Sequence, residues 1–163
     1  MRGYAFLLAL LPAPVLVEAD PNAVIAIEQC IATATDTGRE RDCLGVLAGS
    51  CMQAPDGQTT VGMMFCVSDE TDAWDVLLNR EYQAAQTASK AMDAYETSSE
   101  YAVRADQLLA AQRAWLKFRE ANCAAAYGIY GSGTMRQTAG ENCYLNRTAE
   151  RTLELRTLYN LMN

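Results

Sequence analysis

The stretch "CAAAYGIYGSGTMRQTAGENC", Cys123 to Cys143, differs from the chain on either side of it. It holds four glycines between Gly128 and Gly140 and is fenced by two cysteines. Upstream, Leu108, Leu109, Gln112, Trp115, Leu116, Arg119 and Cys123 recur at intervals of three and four, the spacing of one helical face. Downstream, Leu145, Ala149, Thr152, Leu155 and Tyr159 do the same, widened by Leu153, Leu158 and Met162. The pattern predicts a helix ending near Tyr127 and another from about Glu141 to Leu161, with Thr138 and Glu141 as a T-x-x-E capping box. Bundles join neighbouring helices in a few residues, so this join is longer than needed. Pairing Cys123 with Cys143 would tie the two helix ends and stabilise them by about 3 kcal/mol in the loop-entropy picture. The loop then either projects as a preorganised binding element or simply turns the chain.

Working towards the N-terminus, a long helix is expected from Ser68, a plausible cap followed by Asp69, Glu70 and Asp72 in the positive first turn. Its buried stripe would be Trp74, Leu77, Leu78, Tyr82, Ala85, Met92 and Tyr95. Before it, "APDGQTTVG" reads as a loop, and "TTVGMMF" is the one ambiguous run that could be a strand. Two short helices, "NAVIAIEQCIATAT" and "RERDCLGVLAGSCMQ", precede that loop and meet at Asp36-Thr37-Gly38. The expected fold class is all-α: a disulfide-stapled helical bundle with long antiparallel helices and an N-terminal helical hairpin. The expected organisation is a signal peptide over 1–19, the hairpin and loop over 20–65, and a helical domain over 66–163.

"MRGYAFLLALLPAPVLVEA" has one early positive charge, a short apolar run and small residues at its end, the pattern of a secretory signal cut after Ala19. Asp20 follows the cut where a lipoprotein would need cysteine, which implies a soluble periplasmic or secreted protein without membrane insertion. Six cysteines in an exported chain point to disulfides, and six allow fifteen pairings. Local closure around turns favours Cys30 with Cys43, Cys51 with Cys66, and Cys123 with Cys143. The chain contains no histidine and no paired C-x-x-C, so zinc is not expected, nor any other metal or cofactor, and the commonest catalytic base is absent. A formal charge of -7 disfavours nucleic acid and suits either simple solubility or a cationic partner.

Particular motifs narrow the reading. "WDVLLNREY" (Trp74 to Tyr82), "AQRAWLKFREANC" (Ala111 to Cys123) and the "GSGT" loop with its following cysteine resemble the lysozyme inhibitor LprI-like domain of exported bacterial proteins. The motif positions are Leu78, Asn79 and Tyr82, then Gln112, Arg113, Trp115, Arg119 and Cys123, and the resemblance covers about Cys66 to Tyr159. It implies an exported, helical, disulfide-containing domain, supports the Cys123 to Cys143 pairing, and for some members implies inhibition of lysozyme. Trp74 and Trp115 are expected in the core. Asn79, Gln112 and Arg119 lie on or beside apolar stripes and should need buried partners, with Asp72 or Asp75 available to Arg119 between helices.

Three functions compete. A binding protein that inhibits lysozyme would use its acidity to meet a basic enzyme with an open, carboxylate-bearing cleft. Ser132, Thr134 and Arg136 would be its contacts, and Tyr127 and Tyr130 would add apolar area. An envelope adaptor would bind a protein partner through a bundle face without inhibiting it. A carboxylate-based hydrolase would draw on Asp69, Glu70, Asp72 and Asp75, yet acidic side chains in a helical first turn need no catalytic reason, so an enzyme is not expected.

Overall fold

The structure is a computed structural model that describes residues 19–162, so nearly all of the expected signal segment lies outside the described residues. Those residues are helical, without strands. Helix α1 (Pro21–Thr33) leads through α2 (Thr37–Glu40) and a 3-10 turn (Arg41–Cys43) to α3 (Val46–Cys51). A second 3-10 turn (Asp56–Gln58) precedes α4 (Thr60–Ala94), α5 (Arg104–Gly128) and α6 (Arg136–Leu161).

The three long helices form the body. At a rise of 1.5 Å per residue α4 is about 50 Å long. Helices α4 and α6 run in parallel: Thr138 near the start of α6 donates to the Thr60 carbonyl at the start of α4, and Ser89 late in α4 meets Met162 just past α6. Helix α5 runs antiparallel to both and joins them at opposite ends. Their shared core is centred on Trp74, which is fully buried with Val67, Leu77, Leu145 and Ala149, and Ile27 and Ile31 of α1 complete it. A second cluster of Leu78, Ala85, Leu108 and Leu155 lies further along, with Tyr82, Trp115 and Tyr159 packed on it.

All three expected disulfides are present, with Cα separations of 5.8 Å (Cys30–Cys43), 5.6 Å (Cys51–Cys66) and 5.3 Å (Cys123–Cys143). No cysteine is left free. Glu70 adds a polar anchor to the first two. It is 1% exposed, and its carboxylate accepts hydrogen bonds from the Gly45 and Ala48 amides, both at 2.7 Å, and from the Trp74 indole at 3.0 Å. These amides open α3, so α4 supplies the cap that α3 lacks in its own sequence.

Several boundaries differ from the sequence expectation. Helix α4 starts at Thr60, well before Ser68, because the Thr59 hydroxyl accepts from the Gly62 amide. "TTVGMMF" is therefore its first two turns and not a strand. Helix α6 starts at Arg136, before Glu141, so Thr138 is not a cap and its hydroxyl serves the contact with α4 instead. The second N-terminal helix is broken at Gly45, whose φ of 84° belongs to the left-handed region. Met92, in the last turn of α4, and Tyr95, at its C-cap, are exposed and not part of the buried stripe; Tyr95 is 89% accessible. Asn79 is exposed as well, so it has no need of the buried partner expected for it.

Candidate functional site

Arg119 organises the interior next to the α5–α6 connection. Its guanidinium donates to Asp75 of α4 and to the Thr148 hydroxyl of α6, both at 2.8 Å. It also lies over the Trp115 ring at 4.8 Å and over the Tyr144 ring at 5.7 Å. A planar cation that both stacks and forks can bond three helices at once, which a lysine could not. Gln112, two turns earlier on the same face, accepts from Arg151 of α6 at 3.0 Å and is buried, whereas Arg119 is partly exposed. Asp75, and not Asp72, is thus the partner of Arg119, and Gln112 and Arg119 position α5. Arg113 points to solvent.

The connection itself spans residues 129–135, shorter than the sequence suggests, because α6 begins early. The Cys123–Cys143 bond lies behind it and holds the last turns of α5 against the second turn of α6. Gly131 takes φ 51°, where a side chain would be strained, and the Gly133 amide closes a turn on the Tyr130 carbonyl at 2.8 Å. Ser132 and Thr134 are exposed at the tip, Tyr130 is 49% and Ile129 81% accessible. Arg136 folds back: its guanidinium lies over the Tyr127 ring at 5.3 Å and donates to the Gly131 carbonyl at 3.4 Å. Of the five residues read as contacts, Tyr130, Ser132 and Thr134 therefore face outward, whereas Tyr127 and Arg136 pack on each other and brace the loop.

Beside the loop runs a groove of about 380 Å³ between α4, α5 and α6, lined by Met64, Ala124, Tyr127, Gly140, Glu141 and Tyr144 among others. Gly140 is a packing glycine and not part of the loop: a Cβ there would stand 3.4 Å from the Tyr127 ring. Burial pushes the Glu141 carboxyl above the usual glutamate range, and the charge of Asp72 adds to the rise. Asp72 is itself raised by burial and then by Asp69 and Asp75. Among the described residues, Asp72 and Glu141 have no cationic partner. The four acids weighed as catalytic do not converge: Glu70 is buried as a cap, Asp75 is held by Arg119, Asp69 is exposed and Asp72 lies near Glu141. No group of histidine, cysteine or acidic side chains among the described residues could hold a metal ion.

Sequence reasoning missed Glu141 and Tyr144 as groove residues. Gln137, Gly140, Glu141 and Tyr144 have the i, i+3, i+4, i+7 spacing of one helical face, and the signal was hidden by placing the helix start at Glu141. Glu70 was missed as a structural residue because its acidity fits a first turn equally well.

Two similar proteins extend the comparison. An uncharacterized protein of Rhizobium meliloti (strain 1021) is 29% identical over 121 residues, which is 71% of this chain and 87% of that protein. An "uncharacterized 17.7 kDa protein in puhA 5'region" of Rhodobacter capsulatus is 28% identical over 153 residues, 89% of this chain and 94% of that one. No solved structure matches. The family described as "Lysozyme inhibitor LprI" matches residues 51–155, a span that takes in Arg119 with all its partners, the Cys123–Cys143 staple, the loop and the groove. With most of its length inside that match, the chain belongs to the LprI lysozyme inhibitor family.

Proposed function

We propose that the protein is an exported inhibitor of lysozyme that defends the cell envelope and meets its target with the stapled loop end of the bundle. Family membership carries this reading. Three further observations support it. The chain is acidic, at -7, and complements the strongly basic lysozymes that attack bacteria. Its three disulfides suit an oxidising compartment, in keeping with a signal over 1–19 that leads to the periplasm or the medium. No helix among the described residues is long and apolar enough to cross a membrane.

The loop suits insertion into an enzyme cleft because its ordering cost is met during folding, by the disulfide and by Arg136 on Tyr127, and not during association. Tyr130, Ser132 and Thr134 make the outward contacts, and Tyr127 and Arg136 hold the shape. No step of this function requires catalysis by the protein itself. The test is direct: mature protein beginning at Asp20 is added to lysozyme digesting peptidoglycan, and proteins retained on the immobilised protein are identified. Loss of lysis near one-to-one stoichiometry, with lysozyme in the eluate, is expected. Unchanged lysis at large excess, with a different protein retained, would replace inhibition by an adaptor role.

A further inference from the structure

The groove beside the loop has a chemistry of its own. Two tyrosine rings on different helices, Tyr127 and Tyr144, line it together with Met64, and Glu141 supplies a half-buried carboxylate. Asp72 stands close enough to raise that carboxyl further, and Asp69 and Asp75 follow along α4. The cations nearest the groove are Arg119, committed to Asp75, Arg136, held over Tyr127, and Arg147, one turn past Tyr144 and paired with Glu150. The carboxylates therefore outnumber the cations, and those of Glu141 and Asp72 lack an ion-pair partner among the described residues. Both tyrosine rings already attract a guanidinium within the chain, at 5.3 and 5.7 Å. A neutral apolar occupant would desolvate Glu141 without compensation, whereas a cation would offset that cost.

Building on the reading that the partner is a basic protein, we propose that this groove receives one lysine or arginine side chain of that partner, its charged head against Glu141 and its methylene stem beside Tyr127 and Tyr144. The loop and the groove then grip two neighbouring points of one surface. An exposed long side chain is a suitable key, because its stem is apolar and its head cationic.

Nitrogen-15-labelled mature protein titrated with N-acetyl-lysine methylamide, and separately with its neutral norleucine counterpart, tests this. Backbone shifts confined to the groove are expected with the lysine derivative alone. Glu141→Gln should abolish them, and Glu100→Gln, which removes a carboxylate in the α4–α5 connection at the other end of the bundle, should not. Ala124→Phe, at an exposed position, fills the groove without altering charge and should abolish them too, which guards against a misfolded Glu141 variant. Equal shifts with norleucine, shifts spread over the acidic surface, or shifts that survive both groove substitutions would overturn the proposal. Lysozyme binding separates it from the functional reading. Glu141→Gln should weaken lysozyme binding about tenfold. If wild type bound the lysine derivative as expected but not lysozyme, the inhibitor reading would fall and the groove would stand. If Glu141→Gln bound lysozyme like wild type, the groove proposal would fall and the inhibitor reading would stand.

Discussion

Glu70 shows how one side chain can change meaning between sequence and structure. As a letter it is one of several acids near an expected helix start. In the fold each carboxylate oxygen accepts from an amide at the start of α3, and one also accepts from the Trp74 indole N–H. Replacing it by alanine leaves three donors without their partner, two of them in the buried interior. Glu70→Ala should therefore cost about 3–5 kcal/mol in urea unfolding, in line with a broken buried network; a loss below about 1 kcal/mol would show that water takes over the cap. Arg119 was legible for the opposite reason. A cation placed on an apolar stripe has to be paired, and α4 offered Asp72 and Asp75. Which acid it chose, Asp75 over Asp72, depended on the register of α4 against α5, and that register is set by packing around Trp74 and Trp115.

Among the elements, the helices were legible and their starts were not. Apolar spacing identified α4, α5 and α6 because each buries one face, but the position of a first turn depends on caps and on tertiary contacts that periodicity does not record. Gly62 is the sharpest instance. It sits in the first turn of α4, where alanine would ordinarily favour the helix, yet a Cβ there would come within 1.8 Å of the Asp56 carbonyl oxygen. Gly62→Ala should therefore destabilise the protein by about 1–3 kcal/mol, the cost of overpacking, instead of stabilising it; thermal unfolding of the purified variant decides the sign. The α4–α5 connection makes a second prediction. Asp93 accepts from the Ala105 and Arg104 amides and from the Arg104 guanidinium, which also pairs with Glu96. The Ala105 bond, followed by those of Arg104, holds its carboxyl below the ordinary value of 3.8. A lowered carboxylate stabilises the fold fully above its unfolded value and loses that contribution as pH falls from there through the folded one. Melting temperature followed from pH 6 downward should thus decline on the acid side, and Asp93→Asn should flatten that limb while lowering the neutral plateau. An unchanged limb would assign acid sensitivity to other groups.

For the whole molecule, charge and topology act at different stages of binding. The net charge of -7 acts at long range, so association with a basic lysozyme should slow as salt shortens the Debye length from about 10 Å towards 3 Å. The proposed short-range contacts lie at one end of the bundle, where the parallel pair α4 and α6 and the antiparallel α5 place the loop next to the groove. That juxtaposition was only half visible in the sequence: the cysteines and glycines marked the loop, but the groove needs Met64 from a helix start that was read as loop or strand. Disulfide chemistry, by contrast, was fully legible, because each pair closes a local turn. The most direct measurement of the central claim is the lifetime of the complex on surface-bound lysozyme, for wild type and for Tyr130→Ala/Ser132→Ala/Thr134→Ala, at several salt concentrations. Arg136 is left in place because it braces the loop against Tyr127. The triple variant should keep its melting temperature and the association rate of wild type, with the same dependence on salt, and dissociate at least tenfold faster, about 1.4 kcal/mol of lost contact. A complex that forms and persists like wild type would contradict the account and put the binding surface on another face of the bundle.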